Sequence, residues 1–165
     1  PEVVPGAGPD VHGVVDIPPG AVAVEATHAG WIQQIDTEAL LDAVPEASSA
    51  IVAVSIGSFV PERAPLVWID RSPVDDTARS RLLQAFAIGD ERTMQQDVGF
   101  GLVQLTDIAV RALSPGVNDP TTACDVIVHI GDVLLSIWAR REPATTRSRD
   151  GRTVVLVRTT HVSYL

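Results

Sequence analysis

The spacing of hydrophobic residues along the chain changes near residue 73. Before it, short apolar and β-branched runs alternate with glycine and proline, which is typical of strands. Runs at residues 21–24 and 31–35 flank Gly30 and predict a β-hairpin, and residues 51–56 and 66–69 predict two more strands. Between them, Asp36 or Thr37 is a suitable N-cap for a short helix that ends before Pro45.

After residue 73 the apolar positions recur with the helical period. We predict a helix opened by Asp75 and Asp76 and stopped at Gly89, and a second helix from about Thr93 to Leu113. A third helix follows, with Asp119 as N-cap and Pro120 at its first position, and runs to about residue 140. Residues 153–157 predict a last strand.

These elements predict an α+β fold. A small β-rich, barrel-sandwich-like N-terminal part would pack on a three-helix bundle and be closed by a C-terminal strand. The expected divisions are a flexible lead at 1–20, a β-rich subdomain at 21–72, a helical subdomain at 73–142, and a basic loop with the C-terminal strand at 143–165.

Composition excludes several kinds of chemistry. All twelve basic residues are arginine, so Schiff-base, pyridoxal phosphate, phosphate-loop lysine and lysine-linked biotin or lipoate functions are ruled out. A net charge of -9 and seven aromatic residues disfavour nucleic acid as a partner. The single cysteine, Cys124, can form neither an internal disulfide nor a cysteine zinc site, and we interpret it as a small core residue. We expect no cofactor.

No segment is expected to span a membrane. The longest uncharged stretch, residues 47–61, is shorter than a span requires and contains Ser, Gly and Pro. The apolar run from Val126 to Trp138 is interrupted by His129 and Asp132. The chain begins at Pro1 with a Pro- and Gly-rich lead, which we interpret as the interior of a longer protein.

A long run in the second half of the chain carries a family resemblance. It reads RTMQQD from Arg92, FGLVQLTDIA from Phe100 and RALSPGVNDPTTA from Arg111. With the earlier AGWIQQID and GSFV, it resembles a bacterial family of predicted integral membrane proteins, the domain of unknown function numbered twenty-two fifty-four, over residues 20–140. The resemblance implies transmembrane helices ahead of this region and a soluble C-terminal part. An even number of spans with an inside N-terminus would place this part in the cytoplasm. It brings no characterised activity.

The same run contains the candidate site. At helical spacing Asp97, Gln104, Asp107 and Arg111 share one face, where carboxylates, an amide and a guanidinium could bind an ion or a polar ligand. The alternatives are a solvated face with an Asp107–Arg111 pair, or a buried network that fixes helix register. The full candidate set, ligand-binding or structural, is Arg92, Gln96, Asp97, Gln104, Asp107, Arg111, Ser114, Asn118 and Asp119.

Other polar groups are less distinctive. The turn from Ser114 to Asp119 fits either helix capping or an anion pocket at a helix N-terminus. Asp125, His129 and Asp132 share a face of the third helix, as surface residues or as a metal site. We find no Gly-x-Ser-x-Gly nucleophile elbow and assign no catalytic and no metal-binding residue.

The C-terminal region is basic. Six arginines follow position 139 against two acidic residues, a net charge of +4, so this segment is either a solvated loop or a contact for anionic lipid. The lipid contact would use Arg140, Arg141, Arg147, Arg149 and Arg152.

The sequence therefore predicts a non-catalytic soluble domain, on the cytoplasmic side, of a bacterial integral membrane protein. It would assemble subunits or sense a ligand. Its partners would be its own N-terminal transmembrane region and further copies in a homo-oligomer, with no nucleic acid. The alternative is an ion- or small-molecule-binding domain, or an enzyme, that uses the polar face of the second predicted helix.

Overall fold

The computed structural model describes residues 16–71, 73–140 and 144–156, and within them it contains eight strands and four helices. In chain order they are β1 (Val22–Glu25), β2 (Gly30–Ile35), α1 (Thr37–Ala43), β3 (Ser49–Val52), β4 (Phe59–Val60), β5 (Pro65–Ile69), α2 (Asp76–Gln84), β6 (Phe86–Gly89), α3 (Val98–Ala112), α4 (Pro120–Trp138), β7 (Thr146–Arg149) and β8 (Arg152–Leu156). The predicted α+β class is confirmed. The barrel-sandwich shape stays a prediction.

The described chain divides into two compact units. Residues 16–71, 73–96 and 144–156 form the first, and residues 97–140 form the second. α2 belongs to the first unit, where it packs against α1, β1 and β6, and the predicted domain boundaries stay a prediction. The three-helix bundle stays a prediction. α3 and α4 pack on each other in the second unit, and α2 belongs to the first.

Two sheets form the framework of the first unit. The larger has the strand order β1-β5-β3-β8-β7, in which β3 and β8 are parallel and the other neighbours antiparallel. The smaller is antiparallel with the order β4-β2-β6. The predicted hairpin of β1 with β2 is wrong, because the two strands belong to different sheets. The partners of β1 and β2 lie far along the chain, where local turn signals carry no information, whereas β7 pairs with β8 across the short turn at Asp150 and Gly151.

One hydrophobic core holds the first unit together. It joins buried residues of the larger sheet to α1, α2 and the smaller sheet. The largest fully buried side chains include Val24, Ile32, Leu40, Val52, Val60, Leu66, Val67, Ile69, Leu82 and Val154. Complete burial of a leucine or isoleucine contributes about 1.5–3 kcal/mol to folding.

Aspartates begin the helices of this unit as the sequence indicates. The Asp36 carboxylate accepts hydrogen bonds from the backbone N–H groups of Glu38 and Ala39, both at 3.0 Å, and α1 ends before Pro45 as predicted. The Asp75 carboxylate accepts from Ala78 N at 2.7 Å at the start of α2. These caps pair N–H groups that the first turn of a helix leaves without an internal acceptor.

The second unit is a pair of helices joined by a short connection. α3 begins at Val98, five residues later than predicted, and α4 begins at Pro120 as predicted. Because few residues connect them and they pack on each other, α3 and α4 form an antiparallel hairpin. Of the described hydrophobic residues in this unit, Ala112, Ala123 and Val126 are buried.

Candidate functional site

The polar face predicted on α3 is present and exposed. Gln104, Asp107 and Arg111 all lie on the solvent side of the helix. Among the described residues, no ion pair of 4.0 Å or less joins Asp107 to Arg111. Three solvated side chains on a convex helix surface present no enclosed space for a ligand.

Asp97 does not belong to that face. It precedes the first helical residue and is 3% exposed, and its carboxylate accepts a hydrogen bond from Phe100 N at 2.9 Å. The predicted stripe of four residues is therefore wrong at this position. The helix begins at Val98, so helical spacing does not extend back to Asp97, which caps the helix instead.

The connection between the two helices uses its polar groups to order the backbone. The Ser114 hydroxyl donates to the carbonyl of Arg111 at 2.7 Å, and Asn118 N donates to the carbonyl of Ser114 at 2.9 Å. Asn118 adopts a left-handed conformation, with φ of 48°, which asparagine tolerates better than most residues. Asp119 N donates to the carbonyl of Ala112 at 2.7 Å.

Asp119 is the N-cap of α4, as predicted. Its carboxylate accepts from the backbone N–H of Thr122 at 3.1 Å and from the Thr122 hydroxyl at 2.5 Å. The Thr122 hydroxyl is the main cause that lowers the pKa of Asp119 below its ordinary value of 3.8. A carboxylate that is ionised at neutral pH occupies the position an anion would need, so this helix start carries capping chemistry.

The remaining candidates lie before α3. The Gln96 side-chain oxygen accepts from Ile35 N at 3.1 Å, so it binds the edge of β2 in the first unit. Arg92 is half-buried in the same segment. α3 is 15 residues long, so about 22 Å of helix separate Asp97 from the Ser114–Asp119 turn. The structure does not bring the nine candidate residues together.

The polar residues of α4 form a second exposed face. Asp125, His129, Asp132 and Ser136 lie within roughly 60° of one another at 100° per residue, as predicted, and all are exposed. Among the described residues, no group of three or more His, Cys, Asp or Glu side chains is arranged to hold a metal ion.

Sequence reasoning missed the apolar surface of the hairpin. α4 is apolar around about two thirds of its circumference, and α3 packs on the side that contains Ala123, Val126, Ile130 and Val133. A second apolar sector of roughly 120° faces away from α3. We call it the α4 stripe; its seven members are Cys124, Ile127, Val128, Gly131, Leu134, Leu135 and Trp138.

The five large side chains of the α4 stripe are strongly exposed. The exposed fraction is 62% for Ile127, 64% for Val128, 50% for Leu134, 70% for Leu135 and 90% for Trp138. Cys124 is exposed as well, so the interpretation of it as a core residue is wrong. The sequence could have indicated this exposed surface, because the apolar arc of α4 is wider than one packing partner covers.

By length and composition alone, α4 could cross a membrane. It has 19 residues, and 11% of its most apolar 18-residue stretch is buried in the structure. The contrary expectation assumed an apolar run that began at Val126, whereas the helix begins six residues earlier. Asp125, His129 and Asp132 lie within this helix.

Three of the C-terminal arginines pair with acidic residues of and just after α1. Arg147 binds Glu38 at 2.8 Å, and Arg149 binds Glu38 at 3.2 Å and also Asp42. Arg152 lies 3.6 Å from Glu46. The pairs join β7 and β8 to the helix that covers them. Arg140 is exposed beyond α4, and Arg141 lies outside the described residues.

Comparison with known proteins gives a family and no activity. Residues 7–165 match a family described as "Predicted membrane protein (DUF2254)". Uncharacterized proteins of Mycobacterium tuberculosis and Mycobacterium bovis are each 36% identical over 137 residues, which cover 79% of this chain. The chain spans about a quarter of the length of these relatives, 26% in each case. No solved structure matches. The chain thus belongs to the DUF2254 family of predicted membrane proteins.

Proposed function

We propose that this chain is a non-catalytic assembly domain of a membrane protein, and that the α3–α4 hairpin holds copies of the protein together. The observation that carries the proposal is the exposed α4 stripe. Its five large side chains expose roughly 600 Å² of apolar surface, at about 150–250 Å² for a whole large side chain. This equals or exceeds the largest apolar patch of a typical soluble monomer, and such patches mark interaction sites.

The polar residues of the hairpin support the same function. Asp97 and Asp119 cap helices, and Ser114 orders the connection. Gln104, Asp107 and Arg111 are solvated on the outside of α3. These roles account for the polar residues without a ligand or a reaction, so the ion-binding and enzymatic alternatives gain no support from their placement.

A protein partner fits the hairpin better than lipid. In a bilayer centre an aspartate costs about 2.5–3.5 kcal/mol, and α4 carries Asp125 and Asp132 on an exposed face. A helix that lies on an anionic surface needs basic residues beside its apolar face, and α4 contains neither Lys nor Arg. The membrane attachment of the family is therefore assigned to other parts of the longer protein.

Photo-crosslinking of the membrane-extracted protein tests this function. Benzoylphenylalanine at Leu135, in the α4 stripe, is expected to give a product of twice the protein's mass that contains only its own peptides. The matched control places the same group at neighbouring Ser136, on the polar face, and is expected to give none. Equal products from both positions, a product without a change in mass, or no product from Leu135 would contradict homo-assembly.

A cytoplasmic location is part of the proposal, and it requires an even number of transmembrane spans with the N-terminus inside the cell. Ser136→Cys in a Cys124→Ser background offers an exposed thiol outside the α4 stripe. We expect a membrane-impermeant maleimide to label it only after the cells are opened. Labelling in intact cells would place the domain on the outer side.

A further inference from the structure

We infer that two copies of the chain pair through antiparallel α4 helices, with the two-fold axis at Gly131. The inference rests on the proposed assembly function and specifies its interface. In this arrangement the α4 stripe of one copy covers the α4 stripe of the other, and the polar face of α4 remains in solvent.

The α4 stripe has the symmetry that such a pairing requires. Its other six members lie three, four and seven residues to either side of Gly131, so reversal of the helix direction about Gly131 maps each of them onto another member. A two-fold interface needs this property, because each copy presents the same surface. The pairs are Ile127 with the partner's Leu135, Val128 with the partner's Leu134, and Cys124 with the partner's Trp138.

The sizes of the paired side chains are complementary. The smallest side chain of the α4 stripe apart from glycine, Cys124, would lie opposite the largest, Trp138. The intermediate pairs each combine two branched aliphatic side chains. A parallel pairing would instead place Trp138 against Trp138 and Cys124 against Cys124, which leaves a gap at one end and crowding at the other.

Gly131 supports a close approach at the centre. A Cβ built there meets no atom within 4 Å beyond its own helix and chain neighbours, so packing within the chain does not require glycine. A glycine inside a helix is less favourable than an alanine, because it loses more backbone entropy on folding. A partner helix that crosses at this point gives the missing side chain a structural role, as small residues do where helix backbones approach each other.

The area is sufficient for a specific dimer. Each copy presents roughly 600 Å² of exposed apolar side chain, so two copies would bury about 1,200 Å², above the approximately 1,000 Å² expected of a biological interface. Charge does not oppose the contact, since the α4 stripe contains no Asp, Glu, Lys, Arg or His. Asp125 and Asp132 lie on the adjacent polar face.

Disulfide trapping of the full chain tests the geometry. Gly131→Cys in a Cys124→Ser background is expected to form disulfide-linked dimers on mild oxidation, because the two Cα atoms at the axis lie within the 4.4–6.8 Å that a disulfide spans. Wild-type Cys124 is expected to form none, since two copies of it would be about 21 Å apart along antiparallel helices. In Trp138→Cys with Cys124 retained, Cys124 of one copy should cross-link to residue 138 of the other. This variant gives a second measurement if Gly131→Cys folds poorly.

The outcomes separate this inference from the proposed function. Ser136→Cys in the Cys124→Ser background is the matched control and should remain uncross-linked. Cross-linking of wild-type Cys124, or cross-linking of the control as fast as Gly131→Cys, would overturn the antiparallel interface. A dimer that Leu135→Asp dissociates, without cross-links at 131 or between 124 and 138, would overturn this geometry while assembly through the hairpin survives. A chain that stays monomeric and uncross-linked would overturn both.

Two further outcomes identify other occupants. Recovery of the chain with neutral or anionic vesicles, abolished by Leu135→Asp, would show that lipid covers the α4 stripe and would overturn the inference. A disulfide between residue 131 and another segment of the same polypeptide, which leaves the mass unchanged, would also overturn the inference.

Discussion

Substitution of Gly131 by alanine should change stability and association in opposite directions. Within one chain the new methyl group meets no atom within 4 Å beyond its own helix and chain neighbours, so no clash opposes it. Alanine is more favourable than glycine in a helix interior by about 0.8–1.0 kcal/mol. The free energy of unfolding of the monomeric variant should therefore rise by about 1 kcal/mol.

In the dimer the same methyl group lies at the two-fold axis, where the helices approach most closely. Two added methyl groups in a packed contact cost about 1–3 kcal/mol. Since 1.4 kcal/mol is a factor of ten in an equilibrium constant, the dissociation constant should rise roughly tenfold or more. Urea denaturation at low protein concentration measures the first quantity, and sedimentation equilibrium measures the second.

Gly116→Ala is the matched control. Gly116 lies in the connection between α3 and α4, where a Cβ also meets nothing within 4 Å, but it is outside the α4 stripe. This variant should leave the dissociation constant unchanged. If Gly131→Ala raises monomer stability and leaves the dissociation constant the same or lower, no partner helix crosses at Gly131 and the reasoning is refuted.

Three further predictions concern the fold. Asp119→Ala should lower the thermal midpoint at neutral pH. Because the pKa of Asp119 is lowered in the folded state, its stabilisation is present above about pH 3.8 and is lost as the pH falls through the folded pKa. The melting curves of variant and wild type should therefore converge in acid, and a difference that stays constant with pH would contradict the capping role. Leu82→Ala should lower the free energy of unfolding by about 2–5 kcal/mol in urea titrations, since Leu82 is fully buried, and a loss below 1 kcal/mol would contradict its place in the core. Arg149→Ala removes the ion pairs with Glu38 and Asp42 but should cost less than about 1 kcal/mol, with the difference shrinking in high salt, and a larger, salt-independent loss would show a role beyond these exposed pairs.

Helix starts were the most predictable part of the fold. Asp36, Asp75 and Asp119 each precede a periodic apolar run, and each is an N-cap in the structure. The start of α3 was misplaced because apolar periodicity does not show where a helix begins, whereas Asp97 three residues before Phe100 has the spacing of a cap. Local side-chain chemistry decides these positions, so sequence reasoning can reach them.

Strand pairing was the least predictable part. β6 reads FAIG and directly follows α2, where four residues are too few to show a period. β7 reads TRSR and contains no hydrophobic residue; it exists because β8 pairs with it and Arg147 and Arg149 reach Glu38 on α1. β6 depends on β2, a distant part of the chain that a pattern of neighbours does not contain, whereas β7 pairs with β8 across the two-residue turn Asp150–Gly151 and lacks only the apolar alternation of a strand.

The candidate site, like the fold, could be predicted from the sequence only in part. Spacing correctly placed Gln104, Asp107 and Arg111 on one face, because a helix fixes that relation. It could not show that Asp97 and Asp119 use their carboxylates as caps until the helix ends were known. The exposed apolar sector of α4 could be recognised only when the share covered by α3 became visible.

Sedimentation equilibrium of the wild-type chain and of Leu135→Asp measures the central claim most directly. Leu135 is 70% exposed, so the substitution should leave the melting temperature of the monomer nearly unchanged while it places a charge in the α4 stripe. We predict a concentration-dependent dimer for the wild type, a monomer for Leu135→Asp, and a dimer for the control Ser136→Asp. A wild-type chain that remains monomeric at high concentration, or a dimer that Leu135→Asp leaves intact, would contradict the account.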